Sequence, residues 1–330
     1  MSKSILWTPI SEVPMRPVEW LIEPFIPLGK VTVLAGQMGQ GKSTLSAELA
    51  AKVTTGKTDV GAAASVLMFS AEEDPGDGIR PKLEAAEADS ARVCTPAAFE
   101  LKPQLIEDFC EEREDIRLIT VDPIGDFLPA GVNAWKTPDM RRFLHPFVEL
   151  AQRRGIALVF IQHFNRNLDS DDALSRIADS QGLPQVARSV LAWGPDPDDP
   201  DGDGGARKVL AVAKSNLVED RPATSYRRES VPVAPGITAP RLVTLGGSSH
   251  AASDLLPGRK SRPADALLEA ALADGPKLAS VVEAEARDRG VSADQVRRAR
   301  ERLERRGAMS RRKRPGDGCS EWSMVVEVAI

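Results

Sequence analysis

Cysteine is scarce in this chain. The three present, Cys94, Cys110 and Cys319, are odd in number and far apart, which excludes both a disulfide framework and a paired metal-ligand spacing. Reduced thiols of this kind suit a cytoplasmic protein. Long apolar runs are missing as well. The purest, Ile156–Ile161, is far too short to cross a bilayer, and the opening MSKSILWTPISEVP has no apolar stretch of signal-peptide length. No membrane partner is expected. A large charge of one sign is also lacking. The formal net charge of −5 argues against a wholly basic nucleic-acid binder, although a local basic patch remains compatible with it. No internal repeat is visible.

What the chain does have is apolar residues enough for a sizeable core, in a pattern of alternating strands and helices. Lys30–Ala35 (KVTVLA) is β-branched, apolar and bounded by Gly29 and Gly36, which predicts a buried strand; Ser43–Val53 predicts a helix. Ser65–Ser70, Ile116–Val121 and Ala157–Gln162 predict further strands, with helices over Gly78–Ala88 and Asp139–Arg154, the latter interrupted by Pro146. Lys208–Ala213 and Arg241–Leu245 complete the set. The alternation predicts an α/β domain with a mostly parallel central sheet over residues 1–245. Gly246–Pro263 (GGSSHAASDLLPGRKSRP) has linker composition, and residues 264–330 form a second, smaller domain. Residues 258–330 carry 16 basic and 12 acidic side chains, whereas the first 257 carry 27 and 36. That reversal of sign marks two domains with different partners.

Residues Gly36, Gln37, Met38, Gly39, Gln40, Gly41, Lys42 and Ser43 match G-x-x-x-x-G-K-[ST] without departure, and Thr44 follows. Glycines let backbone N–H groups approach phosphate oxygens, and the helix that follows points its positive end at the same anion. Lys42 supplies a cation for the β- and γ-phosphates, and the Ser43 hydroxyl is a Mg²⁺ ligand. The expected nucleotide is ATP. Asp122 ends the strand Ile116–Val121, where an acid holds a water on Mg²⁺; Ser43 and Asp122 are therefore the metal-site residues. Glu72 lies just beyond Ser65–Ser70, placed either to polarise an attacking water or to belong to a solvated acidic loop with Glu73 and Asp74. His163 directly follows ALVFIQ, at a strand end that faces a ligand crevice. It is either a γ-phosphate sensor or a structural histidine.

The blocks LAGQMGQGKSTL, VLMFSAEEDPGDGIRPKLEAA, LITVDPIGDFL, VFIQHFN, VARSVLAW and AVAKSNL follow one order. Over roughly residues 15–245 the chain resembles the RecA-like ATPases of the hexameric plasmid helicase RepA group, found in mobile elements and phages. The resemblance implies a RecA-like P-loop fold, a homohexamer and single-stranded DNA threaded through its ring. It implies that Glu72 activates water, that Asp122 is the Walker B acid, and that His163 links the γ-phosphate to a DNA-binding loop. It also implies that Arg188 is an arginine finger reaching a neighbouring subunit. By the same resemblance Lys214 is either a second cation for that task or a surface cation in a solvated pair, and Arg80 either a supporting cation or a surface one. Two stretches sit awkwardly with that scheme. Asp196–Gly205 (DPDDPDGDGG) is an acidic loop that matches no motor element. Asn165–Ser180, the DNA-facing loop by resemblance, carries Asp169, Asp171, Asp172 and Asp179 against Arg166 and Arg176, an adverse balance for phosphate binding.

In the C-terminal domain, Ser292-Ala293-Asp294-Gln295 reads as a capping box opening a helix through Arg306, with Gly290 and Gly307 at helix ends. Val296, Ala299 and Leu303 form its apolar stripe. Arg297, Arg298, Arg300, Arg302, Arg305 and Arg306 crowd the same helix. Ser310–Arg314, the turn Pro315–Gly318 and Glu321–Val326 resemble a β-hairpin. Helix, helix, basic helix and basic hairpin is the order of a winged helix-turn-helix that contacts duplex DNA; the other reading is a solvated charged helix, with Glu301 and Glu304 balancing arginines, or a protein–protein module. Two functions follow: a DNA-dependent ATPase of helicase type serving mobile-element replication, or a DNA-binding regulator in which ATP controls assembly without unwinding.

Overall fold

The structure, a computed structural model, describes residues 7–96, 100–133, 136–165, 173–177, 182–256, 263–305, 308–313 and 319–325. The chain divides into two compact units, Met1–Leu256 and Pro257–Ile330.

In the first unit the elements run β1 (Trp20–Ile22), β2 (Ile26–Pro27), β3 (Val31–Gly36), α1 (Lys42–Thr54), β4 (Ser65–Ser70), α2 (Arg80–Ala85), β5 (Val93–Cys94), α3 (Pro103–Glu112) and β6 (Ile116–Asp122). There follow α4 (Thr137–Arg154), β7 (Ala157–His163), α5 (Ala173–Ile177), α6 (Gly182–Val186), β8 (Ser189–Pro195), β9 (Arg207–Ser215), β10 (Ala223–Ala234) and β11 (Ile237–Ser248). Nine strands form one sheet in the order β11-β10-β9-β8-β3-β7-β6-β4-β5. From β8 to β5 every pairing is parallel; β9, β10 and β11 extend the sheet antiparallel. The sheet is thus mixed and mostly parallel.

The central strands read as unbroken apolar runs because both sheet faces are covered. In β7, Leu158 and Phe160 point to one buried cluster and Ala157, Val159 and Ile161 to the other, the period of two that a strand imposes. Leu144, Phe147 and Leu150 of α4 belong to the first cluster; Leu45, Leu49 and Val53 of α1 belong to the second. The helix expected over Gly78–Ala88 is a π-helical turn, Pro75–Ile79, followed by α2, with Pro81 in its first turn. Three strands beyond those expected, β5, β8 and β10, complete the sheet.

The expected linker from Gly246 is ordered in its first half. β11 runs through Ser248, and Ala252, Leu255 and Leu256 are buried in the first cluster. Leu255 and Leu256 supply two apolar side chains that pack under the sheet, which moves the end of the unit to Leu256. The acidic run 196–205 also folds. Asp196 pairs with Arg207 at 2.8 Å and with His250 at 3.3 Å, and Asp199 accepts the backbone N–H groups of Asp201 and Arg207. These carboxylates therefore serve the loop itself.

The second unit runs α7 (Pro263–Leu272), β12 (Lys277–Leu278), α8 (Ala279–Asp288), α9 (Ala293–Arg305), β13 (Met309–Lys313) and β14 (Ser320–Met324). The strands form an antiparallel sheet ordered β12-β14-β13, with β12 an addition to the expected hairpin. Val296, Ala299 and Leu303 are buried as their spacing predicts, against Leu268, Val282, Ala286 and Trp322. The Arg300 guanidinium lies 5.6 Å from the centre of the Trp322 ring. The turn Pro315–Gly318, Arg306, Gly307 and Arg314 lie outside the described residues, as do the side chains of Asp294, Gln295, Arg298, Arg302 and Arg305. No described helix is long and apolar enough to cross a membrane.

Candidate nucleotide site

The parallel strands bring distant residues to one end of the sheet. By register Gly36, the last residue of β3, stands beside His163 of β7 and Trp193 of β8, and Asp122 of β6 stands beside Ser70 of β4. The P-loop leaves from Gly36 between them. A Cβ at Gly36 would lie 2.5 Å from the Trp193 carbonyl oxygen, so only glycine fits. Gly41 adopts φ +88°, a left-handed conformation that other residues resist, and turns the loop into α1. At this N-cap no side chain caps the helix, so the first-turn amides of α1 are left to an external acceptor. That is the arrangement a phosphate requires.

Lys42 is buried. Its Nζ donates to the carbonyls of Gly36 and Gln37 at 3.1 Å each and to His163 Nδ1 at 2.8 Å. An ammonium only donates, so Nδ1 accepts and Nε2–H donates to Glu72 Oε1 at 3.2 Å. Ser43 Oγ donates to Asp122 Oδ2 at 3.2 Å. Burial pushes the Lys42 ammonium below its ordinary value, opposed by Asp122 and Glu72. Burial pushes the Asp122 carboxyl up, opposed by Lys42 and the Ser43 hydroxyl. A hydroxyl and a carboxylate side by side form an all-oxygen donor set, which fits Mg²⁺; a dication there would also relieve the cost of ionising buried Asp122.

The structure separates the two adjacent glutamates. Glu73 forms an ion pair with Lys82 and, with Ser43, Ser70 and Asp122, lines a small cavity behind the loop. Glu72 turns to His163 instead. Thr44 is buried in the first turn of α1, and Met38 is exposed at the loop's apex.

Other expected residues stand elsewhere. Arg80 is exposed on α2 and pairs with Glu84 at 2.5 Å, so it is not brought to the site. Arg188 is exposed at the opposite end of the sheet: its backbone N–H donates to the carbonyl of Val31, the first residue of β3. It cannot serve the P-loop of its own chain. Lys214 is at that same end. It donates to the carbonyls of Pro184 and Ala187 at 2.8 and 3.4 Å, and burial, then the nearby Arg188, push its pKa down. Arg176, expected on the DNA-facing loop, is instead 2% exposed. Arg166, Asp169, Asp171, Asp172 and Asp179 lie outside the described residues.

Two residues outside the P-loop motif also touch the loop. Trp193 and Lys208 both bond to Gln40. Trp193 ends the block VARSVLAW, where the resemblance implies no role for it, and Lys208 is marked only as a cation at the start of an apolar run.

A phosphate-gripping loop between parallel strands, with a hydroxyl–carboxylate pair beside it, defines a P-loop ATPase domain on a RecA-like sheet. A family model described as an AAA domain matches residues 4–169, half of the chain, and this protein belongs to that family. Among solved structures it is similar to a DnaB-like replicative helicase whose structure was described with its interactions with primase. There the TM-score is 0.52 at 12% identity, over 66% of this chain and 63% of that one. It is similar also to a second solved structure, described as an ATPase domain, with a TM-score of 0.49 at 13% identity, over 60% of this chain and 81% of that one. The chain spans less than two thirds of the helicase, and at such identity the likeness concerns the fold. No curated protein matches it in sequence.

Proposed function

We propose that this protein hydrolyses ATP in a DNA-dependent manner, as a homohexameric helicase-type ATPase of the RepA group in mobile-element replication. The observation that carries the catalytic part is the unbroken line Lys42–His163–Glu72 beside the Ser43–Asp122 pair, at the mouth of the P-loop. Lys42 and the amides of residues 36–44 bind the β- and γ-phosphates. Ser43 and Asp122 hold Mg²⁺, which when bound neutralises charge on the phosphates. Glu72 takes a proton from the attacking water as the water oxygen bonds to the γ-phosphorus and the bond to ADP breaks. His163 touches both Lys42 and Glu72, so it senses the γ-phosphate and orients the base.

Arg188, exposed at the far end of the sheet, acts on a neighbouring subunit's γ-phosphate, and Lys214 beside it supports that role. A site completed in trans needs a ring or a filament. The fold likeness to a replicative helicase supports this reading. The second unit, with its order of helix, short strand, two helices and hairpin, acts as a winged helix on duplex DNA. Exposed Arg311, Arg312 and Lys313 on β13 supply its cations. Single-stranded DNA passes through the ATPase ring.

The test is to measure ATPase rate and particle mass together, with and without single-stranded DNA. Stimulated turnover by a hexamer is expected. Equal rates with and without DNA, or turnover by a monomer, contradict the reading. The exposed basic hairpin favours one alternative, an ATP-controlled regulator; footprinting on duplex DNA without strand displacement is its signature.

A further inference from the structure

Gln40, at the fifth position of the P-loop, is held twice. Its backbone carbonyl accepts the indole N–H of Trp193 at 2.9 Å, and its side-chain Oε1 accepts from Lys208 Nζ at 2.8 Å. Both donors are buried: Trp193 is 0% exposed and Lys208 1%. Trp193 lies in β8 next to Gly36, and Lys208 is the second residue of β9, opposite Pro195 of β8 and Tyr226 of β10. The Tyr226 ring packs on Trp193 at 5.6 Å, which fixes the indole's direction. An ammonium is costly to bury, and an apolar side chain of similar length would fill a strand position more cheaply. The position of this one, bonded to the loop that turns around phosphate, gives the charge a task.

We propose that Trp193 and Lys208 are positioning residues that set the curvature of the P-loop through Gln40, and so set nucleotide affinity without touching the reacting atoms. The indole fixes the backbone where the loop turns toward Gly41. The ammonium fixes the Gln40 side chain and adds positive potential beneath the phosphate groove. Neither donor contacts Glu72, Asp122 or Ser43 in the bonds described above, so the hydrolytic step itself is left intact. This inference rests on the ATP reading.

The experiment measures KM and kcat for Mg-ATP hydrolysis on the full chain and on Gln40→Ala, Lys208→Met, the double variant of these two, and Trp193→Phe. Gln40→Ala and Lys208→Met are each expected to raise KM about tenfold, the size of one lost bond to a charged group, with kcat within about threefold, and Trp193→Phe to raise KM as well. The double variant is expected to be no worse than the poorer single one, because both remove the same contact. Gln40 is only half-buried in a loop, so Gln40→Ala keeps the test valid even where Lys208→Met does not fold. Unchanged KM in Gln40→Ala overturns the part of the clamp that Lys208 holds through the side chain, as does a loss in kcat alone or full additivity in the double variant; unchanged KM in Trp193→Phe, which removes only the indole donor, overturns the part held through the Gln40 carbonyl. Absence of saturable ATP hydrolysis in the unmutated protein overturns the ATP reading instead, a result distinct from any of these.

Discussion

The two units of this protein use charge in opposite ways. In the first, the two charges at the heart of the phosphate site are buried: Lys42 and Asp122 are nearly inaccessible, and each is held by hydrogen bonds from or to its neighbours. In the second, the cations of β13 are exposed; Arg311 and Arg312 are 53% and 73% accessible at the side chain. Buried charges act on one small anion at fixed geometry, in surroundings where each hydrogen bond counts heavily. Exposed charges act together on a long polyanion, and each counts little until many are neutralised. A change in the first unit is therefore expected to alter a rate by orders of magnitude, and a change in the second to alter an affinity by small, salt-sensitive steps.

The largest effect is expected at Arg188, an exposed cation of the first unit that lies at the end of the sheet away from its own P-loop. Arg188→Ala lowers ATP turnover about 1,000-fold if the residue completes a neighbour's site. Mixing it with Lys42→Ala restores part of the rate, because some interfaces then pair an intact loop with an intact finger. Phosphate release in the mixture checks this, and a mixture no faster than its parts contradicts action in trans.

Next comes Asp122→Asn, with turnover in Mg²⁺ lower by about 100-fold. The same change sharpens the comparison through stability. Burial raises the folded pKa of Asp122, so the folded state binds the proton more tightly than the unfolded one, and stability from this group is lost as pH rises through the raised value. At neutral pH the carboxylate is a burden that asparagine lacks. Asp122→Asn is expected to melt a few degrees above the parent at pH 7, and the gap narrows as pH falls toward the ordinary carboxyl value of 3.8. A thermal melt series over pH reads both the sign and the trend.

The smallest single effects belong to the second unit. Replacing Arg311 and Arg312 by alanine is expected to weaken duplex DNA binding about tenfold at moderate salt. The slope of log affinity against log salt falls by about 2, one unit for each phosphate contact removed. ATPase rate without DNA stays as in the parent. Fluorescence anisotropy over a salt series measures the slope; an unchanged slope removes these residues from any DNA surface.

Much of the first unit is legible in the sequence because its signals are local. The P-loop occupies eight consecutive residues, and the central strands are apolar runs ending in the very residues that form the site, Gly36, Asp122 and His163. β8 and β10 are harder to read. β8 mixes small residues with Trp193 and Gly194, and β10 carries three consecutive charged residues, Arg227, Arg228 and Glu229, and Pro232 along a partly exposed ribbon. The choice between Glu72 and Glu73 is invisible along the chain, since it depends on Lys82 claiming one of them and His163 the other. The fold of the acidic run depends on Arg207 and His250, and the hold on Gln40 on residues more than 150 positions away. In the second unit β12 is two residues long, too short for any periodicity.

One measurement bears most directly on the claim that gripping the nucleotide and splitting it are separate tasks of neighbouring side chains. ATP affinity and ATP turnover are measured side by side in Mg²⁺ buffer for the parent, Lys42→Ala and Glu72→Gln. The expected result is that Lys42→Ala loses both, whereas Glu72→Gln keeps ATP affinity within about threefold and loses about 100-fold or more in turnover. Parent-like turnover in Glu72→Gln, or parent-like ATP affinity in Lys42→Ala, contradicts it.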